Sequence, residues 1–368
     1  MLFVIYIFLL LFCILKPNSK RVFFITAMFL WFLAAFCTLT ADTNVYELRY
    51  NGFAAVSSMT EPGYTLLMSF FNRLGLSYEM FLAVIYAIIL GIIACFIWKN
   101  SVRPNTTLAL YAIFSYSIDM VQMRNTLAFS VSLLGIDAIL NQNSRKSIIK
   151  FLIFVAIGSS IHFSVILFIF LLVPILLETK RALIVTGVSM IILGISTNVR
   201  IISNAVSIFV GVERASNILA RISRYASDSV STLQSVVIIC VAISVIMLLL
   251  VRNNLQKDMF YDKRAYDSVS SYETKTKMII NFQLVMLMTL PIISFVLDVY
   301  RLNRYLLLIA YVGFSFYRLG KNKKQFIDRN VYTLTNYVAV SAMFYVQIYA
   351  LNNFYRAFWT FFKNNTFF

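Results

Sequence analysis

Residues 80–98, MFLAVIYAIILGIIACFIW, hold no charged side chain and no proline. As a helix they would extend about 28 Å at about 1.5 Å per residue, close to the roughly 30 Å hydrocarbon core of a bilayer. The stretch predicts a membrane-spanning helix. Working outward, eleven further apolar segments lie near residues 1–15, 22–39, 106–118, 125–140, 148–160, 163–177, 182–197, 231–251, 278–297, 305–319 and 331–351. Hydrophobic residues make up 60% of the 368 and charged residues 13%, which excludes an ordinary soluble domain. The expected fold is all-α: one polytopic transmembrane domain over residues 1–368, with about 12 transmembrane segments. MLFVIYIFLLLFCILK at the start has no basic leader and no small-residue cleavage site, so it reads as a retained first span.

The net charge of +17 could point to nucleic acid, but the basic residues fall in short clusters between apolar runs. That is the positive-inside pattern, and no nucleic-acid partner is expected. Lys16, Lys20, Arg21, Lys99, Arg103, Arg145, Lys146, Lys150, Lys180 and Arg181, with the clusters in 252–277 and 318–329, mark one side as cytoplasmic. Both termini are then outside. The outer side carries ten arginines (Arg49, Arg73, Arg124, Arg200, Arg214, Arg221, Arg224, Arg301, Arg304, Arg356) against the single lysine Lys363. Topology is satisfied by either cation. Arginine's planar fork binds phosphate and carboxylate at two points, so this face expects an anion. The four cysteines all sit in apolar runs and read as packing residues.

The chemistry gathers in residues 42–64, DTNVYELRYNGFAAVSSMTEPGY, the first long polar interruption. It holds Asp42, Glu47, Glu61, Arg49, Tyr46, Tyr50 and Tyr64: acids, a cation and flat rings that can grip a polar substrate. External loops 40–79 and 198–230 are expected to form the substrate cavity. Within them 64–75 reads as a surface or re-entrant piece, and 201–225 as an interfacial helix. The 252–277 loop reads as cytoplasmic. Glu61 stands before Pro62, where an acid also suits a helix start. Arg124 lies in a short outer turn beside Gln122 and Asp119, and a plain ion pair with Asp119 is the simple alternative. His162, the only histidine, sits among Ser159, Ser160 and Ser164, and its ordinary pKa of about 6.5 suits proton exchange. One histidine without ligand-spaced cysteines or carboxylates predicts no metal and no other cofactor. Arg301 and Arg304, at i and i+3 beside Tyr305, would share a helical face in an outer turn. No nucleotide-binding glycine pattern or zinc-protease motif occurs.

These motifs carry a resemblance. D-T-N-V-Y at 42–46, E-P-G-Y at 61–64, Q-M-R-N-T-L-A at 122–128, S-S-I-H-F-S at 159–164 and R-L-N-R-Y at 301–305 resemble, in order, the EpsG-like, Wzy-type polysaccharide polymerases of O-antigen, capsule and exopolysaccharide pathways. The resemblance implies a GT-C-like bundle in the bacterial cytoplasmic membrane, with its active face outside. It also implies a glycosyltransferase that joins oligosaccharide repeat units carried on undecaprenyl diphosphate, acting beside a chain-length regulator and a flippase. On that expectation Asp42, Glu61, His162 and Arg124 are catalytic candidates. Arg49, Tyr46, Tyr50, Tyr64, Gln122, Arg301, Arg304 and Tyr305 are substrate-binding candidates. The alternatives are a flippase of the same units or an O-antigen-ligase-like transferase. A flippase would carry charges along its midplane, whereas Asp137 is almost alone inside the predicted spans.

Overall fold

Three helices begin on a serine whose hydroxyl takes up a backbone N–H left over at the helix start. Ser19 accepts from Val22 N at 3.4 Å, Ser77 from Met80 N at 3.3 Å and Ser144 from Ser147 N at 3.3 Å. They open α2 (Lys20–Ala35), α5 (Tyr78–Asn100) and α9 (Arg145–Ile161). The computed structural model describes residues 1–40, 43–52, 61–141, 144–177, 179–195, 300–316 and 354–366, with single positions at 275, 278, 279, 281, 282, 285, 334, 337, 338, 340, 341, 344, 345 and 348. Among these no strand occurs, only an isolated bridge between Cys37 and Asn365. Further helices include α1 (Leu2–Leu15), α3 (Thr43–Tyr50), α4 (Pro62–Arg73), α6 (Pro104–Tyr111), α7 (Ser117–Val121), α8 (Met123–Asn141), α10 (Leu172–Leu176), α11 (Thr179–Ile195), α12 (Tyr300–Phe316) and α13 (Thr360–Lys363).

Two of these, Tyr78–Asn100 and Met123–Asn141, are long and apolar enough to cross a bilayer. The expected segment at 106–118 is a broken run, in which α6 passes through a π-helical turn, Ala112–Tyr116, into α7. The segment expected at 163–177 starts as a 3-10 helix, Phe163–Leu171, and becomes α10. The segment at 231–251, the interfacial helix at 201–225 and nearly all of loops 198–230 and 252–277 lie outside the described residues.

Contacts divide the chain into two units: Met1–Ile169 with Leu308–Leu319 and Phe344–Phe368, and Phe170–Leu307 with Gly320–Met343. In the first, α8 is buried along most of its length between α5 and α9. Its contact with α9 is backbone-close. A Cβ on Gly135 would stand 2.7 Å from Phe151 Cα, and one on Gly158 would stand 2.7 Å from the Ala128 carbonyl. Small residues let helices approach in this way without a hydrophobic solvent term to drive them. Lys99, at the end of α5, pairs with Asp137 near the end of α8 at 2.6 Å, and Tyr86 Oη donates to the Met120 carbonyl at 3.0 Å. Thus α5 and α8 run parallel, and the α6–α7 run returns between them. Asp137 is therefore one turn from a helix end, held also by Asn100 at 2.7 Å and Asn141 at 2.8 Å. It is not a midplane charge.

Tyrosine hydroxyls stitch the broken run to its neighbours. Tyr6 donates to the Ala112 carbonyl at 2.7 Å and Tyr116 to the Leu30 carbonyl at 2.6 Å. A π-turn interrupts the regular α-helical hydrogen-bond ladder, and the Tyr6 donor lands inside it. The aromatic C-terminal segment docks on the same unit. Thr38 N donates to the Asn364 carbonyl at 2.9 Å, Thr366 N donates to the Phe36 carbonyl at 3.0 Å, and Phe3 packs edge-on against Phe358 and Phe362. Ala357 and Ile348 bury Ile118 of α7, with Phe344, Phe354 and Phe358 packed around them.

Candidate active site

The polar stretch 42–64 is not the plain loop its composition predicts. Residues 43–50 form α3, and 62–73 form α4. At the start of α3 the Thr43 hydroxyl accepts from Thr40 N at 2.8 Å. α4 begins with Pro62 at its first turn, where a missing N–H costs nothing, and both helices are followed by a glycine of positive φ, Gly52 and Gly75. α3 is tied down by Tyr50. Its hydroxyl donates to the Leu76 carbonyl at 2.8 Å, its carbonyl accepts from Asn72 Nδ2 at 3.1 Å, and its ring stacks on Phe81 at 4.9 Å.

Glu61 occupies the N-cap position of α4 but makes no side-chain cap. Its carboxylate reaches across to two other elements. Oε2 accepts from Arg124 Nη1 at 2.8 Å and Oε1 accepts from Phe163 N at 3.2 Å. The ion-pair partner of Arg124 is therefore Glu61 rather than Asp119, which is buried beneath the α7–α8 turn. The Arg124 and Glu61 side chains are 17% and 20% exposed, shielded enough for charge to count yet reachable. The guanidinium lies 5.9 Å from the ring centres of both Tyr46 and Tyr64, which meet edge to face at 5.8 Å. Such contacts are worth about 0.5–2 kcal/mol each and hold a cation between two rings. Burial pushes the Tyr64 phenol well above its ordinary range, with Tyr78 and Tyr46 adding to the shift and Arg124 and Arg49 opposing it. Tyr64 thus keeps its proton as a donor. Among the described residues its buried hydroxyl has no hydrogen-bond partner, and neither does Arg124 Nε or Asn125 Nδ2.

Each letter of E-P-G-Y has a place. Glu61 pins Arg124, Pro62 opens the helix, Tyr64 lies against the guanidinium, and Gly63 lets α4 meet the end of α9. A Cβ at Gly63 would overlap Ser160 Oγ and stand 2.8 Å from its carbonyl oxygen. Gly63→Ala is expected to cost about 1–3 kcal/mol through overpacking and to lower the thermal midpoint in detergent. An unchanged midpoint would mean that α4 slides on α9 without penalty.

His162 ends α9 in extended backbone, next to the Phe163 N–H that Glu61 holds. Its Nδ1 lies 2.8 Å from Ser164 Oγ, which donates to Asn125 Oδ1 at 3.0 Å. Asn125 follows Arg124 on α8. Gln122, at the break between α7 and α8, offers its carbonyl to Thr126 N at 3.0 Å. The structure therefore brings together Tyr46, Glu61, Tyr64, Arg124 and His162, with Arg49 in the electrostatic surroundings of Tyr64. A small cavity of about 10 Å³ opens beside Tyr46, lined also by Thr40, Thr43, Tyr78, Tyr86 and Met123. Tyr50 packs beneath the site instead of facing a cavity. Asp42 lies outside the described residues.

Arg301 and Arg304 belong to the first two turns of α12, not to a turn before it. In the second unit, buried Arg304 donates from Nη2 to Tyr305 Oη at 3.1 Å and lies 4.9 Å from the centre of that ring. Asn125, Ser164 and the Phe163 N–H were not chosen from the sequence as site groups. Their signal was present in Q-M-R-N-T-L-A and S-S-I-H-F-S, but a linear string does not show that the two segments meet.

Fold and site define a helical membrane protein with an arginine-centred polar site at one end of a helix bundle. The model of the EpsG family matches residues 20–363, so the chain belongs to that family, whose members are membrane proteins of polysaccharide biosynthesis with a polymerase-like role. No curated protein and no solved structure matches it.

Proposed function

We propose that the protein is a glycosyltransferase that polymerises oligosaccharide repeat units carried on a lipid diphosphate, at the outer face of the bacterial cytoplasmic membrane. The observation that carries this reading is Arg124, a cation framed by Tyr46 and Tyr64 and pinned by Glu61. In the proposed reaction a sugar hydroxyl of one unit attacks the anomeric carbon of another, and undecaprenyl diphosphate leaves. The leaving group is a weak base, so the transition state chiefly needs its growing negative charge met by fixed cations. Arg124 meets that need, and Arg49 is a further candidate for holding the diphosphate. Tyrosine faces suit sugar rings, and Tyr46 and Tyr64 stand beside the guanidinium. Both oxygens of Glu61 are engaged, so its role here is to position Arg124, while His162 and Asp42 are the candidates for accepting the hydroxyl proton.

The direct test is purified protein in vesicles with its lipid-linked repeat unit. A ladder of extended products is expected. Units that cross the bilayer unchanged would identify a transporter instead. The outward orientation is tested separately in a background lacking the four native cysteines. Cysteine at exposed Asn51 should react with an impermeant thiol reagent from outside, and cysteine at exposed Lys146 should not. The reverse pattern would put the site on the cytoplasmic face.

A further inference from the structure

Helix α4 has three faces, where a helix on a water-soluble surface needs only a buried one and a polar one. Its residues, Pro62–Arg73, extend about 18 Å at about 1.5 Å each, far short of a roughly 30 Å hydrocarbon core. One face is given to the protein. Tyr64 and Met68 are buried, and the helix packs against α9, α5 and α3. The rest of its circumference is divided. Leu66, Phe70 and Leu74, spaced by four, remain 71%, 59% and 60% exposed. Ser69 and Asn72, spaced by three, form a second exposed edge, and exposed Arg73 falls between the two edges in the last turn. At about 3.6 residues per turn these edges are adjoining stripes, one apolar and one polar.

An apolar stripe beside a polar one, both pointing away from the protein, suits a boundary between oil and water. The next element shows which boundary this is. Gly75, at positive φ, leads the chain out of α4, and α5 begins at Tyr78. α5 is long and apolar enough to cross a bilayer, with Met80 exposed in its first turn and Ile88 exposed deeper in the helix. The end of a span is where hydrocarbon gives way to headgroups, and α4 adjoins it. Arginine suits that level, because its carbon stem can follow apolar surface while the guanidinium meets an anionic phosphate. We infer that α4 lies in the membrane interface on the side of the Arg124 site. Leu66, Phe70 and Leu74 sink among the phospholipid acyl chains of that leaflet, Ser69 and Asn72 face water, and Arg73 stands at the phosphates.

This docking reaches the site directly. Glu61 occupies the N-cap of α4, and its carboxylate holds Arg124 Nη1 at 2.8 Å. A helix held at one depth therefore holds Arg124 at the level of the headgroups. On the polymerase reading, that is the depth at which a diphosphate on a membrane-anchored tail is presented. The immersion of α4 stands without that reading.

The test uses single cysteines carrying a nitroxide label. Leu66→Cys, Ser69→Cys, Phe70→Cys and Ile88→Cys are made in the background lacking the native cysteines and placed in vesicles of phosphatidylcholine and phosphatidylglycerol. Oxygen concentrates in hydrocarbon, whereas a nickel chelate stays in water, so the ratio of their collision rates reads the surroundings and depth of each label. Labels at 66 and 70 should favour oxygen, and the label at 69 should favour the nickel chelate. Both apolar positions should lie shallower than position 88, as expected for an apolar face sunk about 5–10 Å into the boundary. Three results each overturn the inference. Nickel dominating at 66 and 70 would put the stripe in water, and collisions with neither reagent would mean that protein covers it. A depth equal to that of position 88 would make α4 re-entrant. Phe70→Trp in the parent chain serves if the cysteine-free protein does not insert. Brominated phosphatidylcholine should quench its added fluorescence beyond the loss shown by the three native tryptophans, and quenching no greater than theirs overturns the inference. A parent that makes no ladder in the vesicle assay refutes the polymerase reading and leaves the labelling result intact.

Discussion

Arg124→Lys should insert and fold like the parent and lose about a hundredfold to a thousandfold of its chain-extension rate. That is the loss expected when one fixed stabiliser of developing charge is removed from an active site. The substitution is informative because it keeps the positive charge and changes only its shape. A guanidinium can bind Glu61 through Nη1 and still present other N–H groups, and its Nε is a buried donor with no partner among the described residues. An ammonium is a point charge with three rotatable donors, and it cannot keep the carboxylate and face both tyrosine rings with the same plane. Glu61→Gln should behave differently. It retains the shape but weakens the grip on Arg124, so the expected loss is nearer tenfold. Full activity of Arg124→Lys would reduce this arginine to an interfacial anchor.

His162→Ala should lower turnover by about a hundredfold to ten-thousandfold while leaving lipid-diphosphate binding intact, the contribution typical of a general base. The sign of the pH dependence follows from the protonation state required. A base acts when neutral, so the parent rate should fall toward acid pH as the imidazole takes up a proton, and the alanine variant should lose that acid limb. Asp42→Asn, assayed beside it between pH 5 and pH 9, separates the two remaining candidates. If both variants extend chains within tenfold of the parent, no side chain among them is an essential base, and catalysis rests on arginine electrostatics and positioning.

The sequence revealed the spans more clearly than the site. Residues 80–98 are apolar on every side and could only become a buried or membrane helix, and α5 covers them. By contrast, TNVYELRY has no apolar face. It folds as α3 through contacts made elsewhere, above all by Tyr50 with Leu76, Asn72 and Phe81, and tertiary support of that kind leaves no periodicity to read. The identities of the site residues were equally visible, but their partners were not. Arg124 has Asp119 five residues away in the chain and bonds Glu61 instead, because the break at Gln122 starts a new helix and the beginning of α4 lies against α9 beside it. His162 stood out as the only histidine, yet Asn125, bonded to the serine that His162 contacts, is 37 positions away. Local pattern fixes elements, while a site depends on which ends of those elements coincide.

The C-terminal segment gives the unit that bears the site a timing constraint. Ile118, just before the turn that presents Gln122 and Arg124, is buried by Ile348 and Ala357, and the end of α2 bridges to Asn365. Residues up to 164 already supply every described member of the Arg124 and His162 cluster, but the packing under that turn arrives only when the ribosome has made nearly 200 more residues. At about 5–20 residues per second this is a delay of roughly 10–40 s. During it the inserted helices would carry an unfinished, unsupported site. Packing beneath the site is thus completed by residues made long after the site itself, so that a nascent chain lacks this support until residues 348–357 have been added.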